Sequence, residues 1–275
     1  MMHNSLSPDK LLAIRQSVKA AKPLIHCITN PISINDCANI VLAAGAKPIM
    51  AEHPAEVARI TAMAGALAVN LGNITDVRLE SMLLAGKTAK HASIPSIIDL
   101  VGVACSDLRL NFSRTFLGEC SPSVIKGNIS ELKAFCGLKN NAKGIDAGEQ
   151  DSVTVDSLTG NMAMLKDLAQ RTGAVVAATG AIDIITDGCE AYCLENGSKM
   201  LSLITGTGCM LNVLTAAFIS AKDILSGTIL ATAVMGICGE LASQAKGPGS
   251  FRSELLDAVF TLSDQTFKEK IRITR

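Results

Sequence analysis

Charge is scarce in this sequence. Only 18% of its 275 residues are Asp, Glu, Lys or Arg, and 25 basic side chains cancel 25 acidic ones. Binding to a phosphate backbone rests on clustered Lys and Arg whose counterions are released. A chain with no net charge and no long basic run lacks that footprint, which removes nucleic acid as the leading ligand. Low charge beside 48% hydrophobic content also excludes disorder, because so much apolar area must be hidden. No Pro-, Gly- or Ser-rich linker, low-complexity tract or internal repeat interrupts the chain, so one domain over residues 1–275 is expected.

Met1 to Lys10 are polar and lack the apolar core and small-residue cleavage site of a signal peptide, and nine cysteines are an odd number. Both point to a reducing, cytoplasmic setting. Cys189 and Cys193 are spaced C-x3-C, but no second pair completes a tetrahedral metal set, so they read as small buried hydrophobes. Two uncharged stretches, Met200 to Ala221 and Ile224 to Gly239, raise the question of a membrane hairpin. The first is interrupted by Thr205, Gly206, Thr207, Gly208 and Asn212, and the second is short for a span. Two helices buried in a globular core, or in a subunit interface, are expected instead.

Short apolar runs recur between helical patterns: Leu24 to Ile28, Pro48 to Met50, Ala66 to Leu71, Ser96 to Leu100, Ser123 to Lys126 and Ala174 to Ala178. Few alternate polar with apolar, as befits strands of a parallel sheet covered on both faces by helices, the doubly wound α/β layout. Ile34 to Ala44 and Asp76 to Ala92 carry helical spacing, the first closed by Gly45. After Thr179 and Gly180, three segments, Ile182 to Thr186, Ala191 to Leu194 and Lys199 to Leu203, are joined by Asp187-Gly188 and Asn196-Gly197. Those dipeptides are strong hairpin signals and predict an antiparallel edge.

Thr205-Gly206-Thr207-Gly208-Cys209-Met210 leads into an uncharged helix. Glycines let a ligand approach the main chain, and unpaired N–H groups at the helix start suit an anion. A glycine-rich helix start without any ligand is at least as common, and neither a P-loop nor a dinucleotide fingerprint is present. Cys209 falls in the first turn, where the helix dipole is expected to lower its pKa and make a poised thiol possible. Lys126-Gly127-Asn128-Ile129-Ser130-Glu131 leaves a strand and opens a helix, a capping box on the structural side. On the functional side, it would set Lys126 by phosphates and Glu131 near a metal. Asp99, at the end of the preceding strand, could add a carboxylate in the crevice where open α/β sheets bind ligands. Mg²⁺ suits such oxygen ligands.

With these segments in view, the chain resembles the hydroxyethylthiazole kinase family of the ribokinase-like fold. The likeness runs from His26-Cys27-Ile28-Thr29-Asn30 through Ala38-Asn39, Gly45 to Ala51, Asn70-Leu71-Gly72, Lys126-Gly127-Asn128 with Glu131, and Gly144-Ile145-Asp146-Ala147-Gly148. It continues in Thr179-Gly180, Gly206 to Cys209 and Gly247-Pro248-Gly249-Ser250-Phe251. The resemblance implies a ribokinase-like, mostly parallel central sheet with helices on both faces and an antiparallel edge. It also implies ATP- and Mg²⁺-dependent phosphorylation of 4-methyl-5-(2-hydroxyethyl)thiazole in thiamin salvage, by a homotrimer with active sites between subunits. Carried over by position, Met50 and Gly206 would contact the thiazole, with Asn30 a further pocket residue. Lys126 and Thr179 would hold ATP, and Asp99 and Glu131 would serve Mg²⁺ through its waters. Thr207 and Gly208 would form the anion-binding turn, and Cys209 would take the place of an aspartate base.

Three positions depart from the family's pattern. Lys126 stands where Arg is usual, Leu100 follows Asp99 where Pro is usual, and Ala181 follows Thr179-Gly180 where Glu is usual. Lys keeps the charge but loses the bidentate fork. Two rival readings are a related kinase for a hydroxymethylpyrimidine or sugar, which usually carries Asp where Cys209 stands, and a binding protein whose catalysis has lapsed.

Overall fold

The computed structural model describes residues 6–138 and 155–275, so the Gly144 to Gly148 motif lies outside the described residues. The described strands are β1 (Leu24–Ile28), β2 (Lys47–Ile49), β3 (Ala66–Asn70), β4 (Ser96–Asp99), β5 (Val124–Asn128), β6 (Val175–Thr179), β7 (Asp183–Thr186), β8 (Ala191–Leu194) and β9 (Ile273–Thr274). They form one sheet in the order β2-β1-β3-β4-β5-β6-β7-β8-β9, parallel from β2 to β6 and antiparallel beyond. Each of the six expected parallel strands is present, with ends within two residues of the sequence reading.

Neighbouring residues of one strand feed opposite cores. Ile97, Val175 and Ala177 belong to one buried cluster, while Ile98, Val176 and Ala178 belong to the other. That is the two-sided burial a doubly wound sheet requires, because successive side chains point to opposite faces. The first cluster lies under α1 (Pro8–Ala21), α2 (Ile34–Ala43), α8 (Thr207–Ile219), α9 (Ile224–Leu241), α10 (Pro248–Thr261) and α11 (Asp264–Lys270). The second lies under α3 (Pro54–Met63), α4 (Asp76–His91), α5 (Asp107–Cys120), α6 (Ile129–Phe135) and α7 (Val155–Thr172). Gly45 ends α2 in the left-handed region at φ +93°.

The two uncharged stretches are α8 and α9, packed on each other and on the sheet. The segment Ile224–Gln244 is long and apolar enough to cross a bilayer by length and composition, but 78% of its most apolar window is buried inside the fold. Residues 209–219 of α8 are all buried, and the Asn212 side chain donates from Nδ2 to the Val69 carbonyl of β3 at 3.1 Å.

The antiparallel edge differs from the sequence reading in one element. Asp187-Gly188 does join β7 to β8, with the Asp187 carboxylate accepting from the N–H groups of Cys189 and Glu190 at 2.9 Å. Lys199 to Leu203, however, is a 3-10 segment rather than a strand, capped by Ser198. The free edge of β8 is taken by β9 from the C-terminus, with Cys193 opposite Thr274 and Leu194 opposite Ile273. Asn196 turns no hairpin because its amide is drawn aside to Glu240, Lys270 and Arg272. Cys193 is buried as expected, but Cys189 is exposed on the hairpin tip.

Phe218 of α8 is 1% exposed. Phe218→Ala is expected to destabilise the protein by about 3–5 kcal/mol, read as a lower urea midpoint with an unchanged slope.

Candidate functional site

The chain turns from β1 outward to β2, and from β3 in the other direction to β4, so β1 and β3 part company at their carboxyl ends. Open α/β sheets bind ligands at such a switch point. The loops there are tied by Arg78 of α4, a buried guanidinium that donates to the carbonyls of Thr29 and Asn73. Gly72 is wedged between two amides: a Cβ there would lie 2.5 Å from Asn30 Nδ2 and 2.9 Å from Asn70 Oδ1.

Asp99 ends β4 and is 1% exposed. Its Oδ2 accepts from Lys126 Nζ of β5 at 2.9 Å and from Asn70 Nδ2 of β3 at 3.0 Å. Asn70 Nδ2 also donates to Cys209 Sγ at 3.4 Å, while Asn70 Oδ1 accepts from the Gly72 N–H at 2.8 Å. Three strand ends and the start of α8 therefore meet in one polar network. Burial disfavours the Lys126 ammonium, but the Asp99 carboxylate against it prevails and holds it above the ordinary lysine range.

α8 begins at Gly206, whose φ of +94° and contact with Ser33 leave no room for a side chain: a Cβ would sit 2.5 Å from Ser33 Cβ. No side chain caps the helix, and its first backbone bond runs from the Met210 N–H to the Gly206 carbonyl. The earlier N–H groups, those of Thr207, Gly208 and Cys209, lie at the positive end of the dipole. Thr207 and Gly208 line a cavity of about 630 Å³ shared with Asn128, Thr179, Gly180 and Asp183. A Cβ on Gly208 would lie 3.7 Å from Lys126 Nζ, so the helix tip and the buried ammonium face the same space.

Cys209 is 6% exposed. Burial, then the Asp99 charge, push its thiol above the ordinary value, against the opposing pulls of Ser33, Lys126 and Asn70. This corrects the expectation of a lowered pKa, because desolvation at this position outweighs the helix dipole.

Glu131 completes the capping box of α6, with Oε2 accepting from the Asn128 N–H at 2.7 Å and the Asn128 side chain accepting from the Glu131 N–H at 2.9 Å. Its Oε1 accepts from the Gly102 N–H at 2.9 Å. With each oxygen already accepting one backbone N–H, Glu131 is suited to meet a metal through water. Among the described residues, Asp99 Oδ1 is the buried carboxylate oxygen without a hydrogen-bond partner. Among the described residues no three His, Cys, Asp or Glu side chains cluster to hold a metal unaided. One orphaned oxygen plus one occupied carboxylate fits a cation that keeps most of its waters.

The structure thus brings together Asp99, Lys126, Cys209, Gly208, Thr207, Gly206 and Asn30, with Thr179 across the cavity. Met50 follows β2 at the same end of the sheet and packs, half-buried, against the cluster on the α8 side rather than within this polar network. Asn70, Ser33, Arg78 and Asp183 were given no role from sequence. A polar Asn closing the apolar run Ala66 to Val69 was the available signal for Asn70. Arg78 offered none, since its partners lie in loops that only the fold brings to it.

With its mostly parallel sheet and antiparallel edge, the chain has the ribokinase-like fold. A ribokinase-like superfamily protein from Enterococcus faecalis superposes with a TM-score of 0.62 at 14% identity over 92% of this chain and 94% of that one, a likeness of fold alone. The profile of the hydroxyethylthiazole kinase family matches residues 15–265. Hydroxyethylthiazole kinase 2 of Clostridium botulinum (strain Hall) is 60% identical over 262 residues, 95% of this chain and 99% of that protein. The structure of a hydroxyethylthiazole kinase protein from Pyrococcus horikoshii matches with a TM-score of 0.87 and 29% identity over 97% of this chain and 98% of that one. The chain belongs to the hydroxyethylthiazole kinase family. It is accordingly a kinase that uses ATP, and a divalent metal accompanies ATP in enzymes of this kind.

Burial, and next the Asp99 charge, raise the Glu131 carboxyl from 4.5 to about 7. A group whose pKa is higher folded than unfolded contributes stability below the unfolded value and loses it as pH rises through the folded one. Stability is therefore expected to fall between about pH 4.5 and pH 7 through Glu131. Urea unfolding of Glu131→Gln across that window should show a flatter pH dependence than the parent protein, even though one backbone bond is lost.

Proposed function

We propose that this chain transfers the γ-phosphoryl group of ATP, with Mg²⁺, to the hydroxyl of 4-methyl-5-(2-hydroxyethyl)thiazole, yielding the thiazole phosphate used in thiamin salvage. The observation that carries this reading is the open N-terminus of α8, which faces a cavity beside the buried Lys126 ammonium and carries Cys209 on its first turn. In this reading the enzyme acts in the cytoplasm as a single domain over residues 1–275, without membrane or nucleic acid, and assembles as a homotrimer whose sites lie between subunits. Two large apolar side chains beside the helix start support the assembly: Ile32 at 68% exposure and Leu203 at 62%. Apolar side chains left open next to a site are what a subunit neighbour would cover.

Phosphoryl transfer passes through a loose transition state, so it demands charge stabilisation and alignment more than a strong base. The N–H groups of Thr207, Gly208 and Cys209 would receive the charge of the transferring group. Lys126 and Thr179 would hold ATP, with Lys126 also neutralising Asp99. Asp99 and Glu131 would hold Mg²⁺ through its waters, and the cation would supply neutralisation of the phosphate oxygens. Met50, Asn30 and Gly206 would shape the pocket for the flat, neutral thiazole. Cys209, a thiol at rest because its pKa is raised, would orient the substrate hydroxyl or, once its own proton has passed to solvent, accept the hydroxyl proton late as the thiolate.

Incubation of the pure protein with ATP, Mg²⁺ and a panel of thiazole, pyrimidine and sugar alcohols, read by mass spectrometry, tests the substrate. Phosphorylation of the thiazole alcohol alone is expected; a preferred pyrimidine or sugar would assign a different kinase, and no product would favour a binding protein. Cys209→Ala should lower kcat by about 10²–10⁴-fold while the protein stays folded, and Cys209→Asp should remain active. Because the thiol must ionise to accept a proton, the parent kcat should climb with alkalinity and the climb should move to lower pH in Cys209→Asp. Gly208→Val should nearly abolish turnover, since its methyl groups would fill the approach to Lys126; unchanged turnover there would remove the anion-binding role of the turn.

A further inference from the structure

The cavity has two kinds of lining. Near Thr179, Thr207 and Gly208 it offers helix N–H groups and the neighbouring Lys126 ammonium, which suit phosphates. It is also walled by residues 195–198, the strap between β8 and the 3-10 segment, by Met235 and Gly236 of α9, and by Leu201 and Leu211, of which Leu201 accepts a bond from Thr207. Apolar side chains suit a flat, uncharged base.

Beyond Glu195, whose N–H still bonds to the Arg272 carbonyl at 3.1 Å, regular structure does not hold this strap. Gly236 of α9 lets it lie directly on the helix, since a Cβ there would fall 2.4 Å from the Asn196 carbonyl oxygen. Glu240, one turn further along α9, then fastens it. Glu240 Oε1 accepts from the Gly197 N–H at 2.9 Å, from Asn196 Nδ2 at 3.1 Å and from Arg272 Nη2 at 2.5 Å. Arg272 closes the other side: its guanidinium donates to the Glu195 carbonyl at 2.7 Å and its own N–H to Asn196 Oδ1 at 2.7 Å. Asn196 Nδ2 also reaches the Lys270 carbonyl at 2.8 Å. Burial raises the Glu240 carboxyl, but the Arg272, Gly197 and Asn196 bonds outweigh it and bring it below the ordinary carboxylate range, so it is ionised and fully engaged. The Arg272 side chain is half exposed, so the ion pair by itself contributes little. What matters is the acceptor that Glu240 supplies to two consecutive strap residues.

We infer that Glu240 is a positioning residue for ATP: joined to Arg272, it clasps residues 195–198 into the wall that receives the nucleoside end of the nucleotide. This inference rests on the cavity being the ATP site. The clasp is made by residues remote from the reacting groups, so it acts on nucleotide affinity and not on the chemical step.

Steady-state kinetics of Glu240→Ala, Glu240→Gln and Arg272→Met, with calorimetric titration of ATP and of inorganic triphosphate, tests it. Glu240→Ala should raise the KM for ATP about tenfold, with kcat and the KM for the thiazole alcohol within about twofold of the parent. Glu240→Gln keeps an acceptor for the Gly197 N–H and should recover part of that loss. The Kd for triphosphate, which reaches only the phosphate end, should stay unchanged in every variant. An unaltered KM for ATP in Glu240→Ala, or a triphosphate Kd that rises in step with that of ATP, overturns the inference. Should Glu240→Ala not fold, Arg272→Met carries the test: a KM for ATP raised about threefold supports the clasp, and an unaltered one refutes it. A parent protein that binds neither ATP nor triphosphate would instead refute the ATP assignment of the cavity, and the clasp's role with it.

Discussion

A carboxylate sealed from water has to be neutralised where it stands, and Asp99 imposes that condition on the whole carboxyl edge of the sheet. At 1% exposure its charge would cost several kcal/mol if left unpaired. Lys126 from β5 and Asn70 from β3 meet it, so three adjacent strands must end in register before the charge is tolerated. The same Asn70 amide extends to Cys209, which couples the first turn of α8 to the strand ends. The position of the helix tip is thus a consequence of satisfying one buried charge.

Burial gives that edge its chemistry as well as its cost. Hydrogen bonds and charges in a dry crevice act more strongly than in water. The same dryness keeps Cys209 protonated, against the helix dipole that would otherwise favour the thiolate. In the proposed reaction the work would be divided, with charge handled by Lys126 and backbone N–H groups and the protonated sulfur placed to align a hydroxyl. Lys126 in place of Arg fits this arrangement: a compact ammonium satisfies Asp99 Oδ2 and still stands beside Gly208.

The layered fold was legible because it follows from local apolar patterning. Ile97-Ile98 and Val175-Val176 read as doubly buried, and each pair does supply both cores. Asn128 with Glu131 read as a capping box and is one. Long-range competition was not legible. Lys199 to Leu203 loses its place beside β8 to residues from the far C-terminus, and Asn196 gives up its turn to partners at positions 240, 270 and 272. Of the residues gathered at the candidate site, Asp99, Lys126 and the turn from Gly206 to Cys209 were legible from strand ends and glycines, and Asn30 and Thr179 only through family resemblance, while Arg78 and Asn70 owe their importance to loops and strands that meet only after folding.

α8 is buried on every side from Cys209 to Ile219, so hydrophobicity assigns it no preferred azimuth: turned about its own axis, it would present equally greasy flanks to the sheet. Asn212 breaks that degeneracy. Its amide finds the Val69 carbonyl at only one angle of the cylinder, and three residues earlier on the same flank Cys209 meets Asn70, the next residue of the same strand. A single buried amide therefore sets the compass bearing of the thiol.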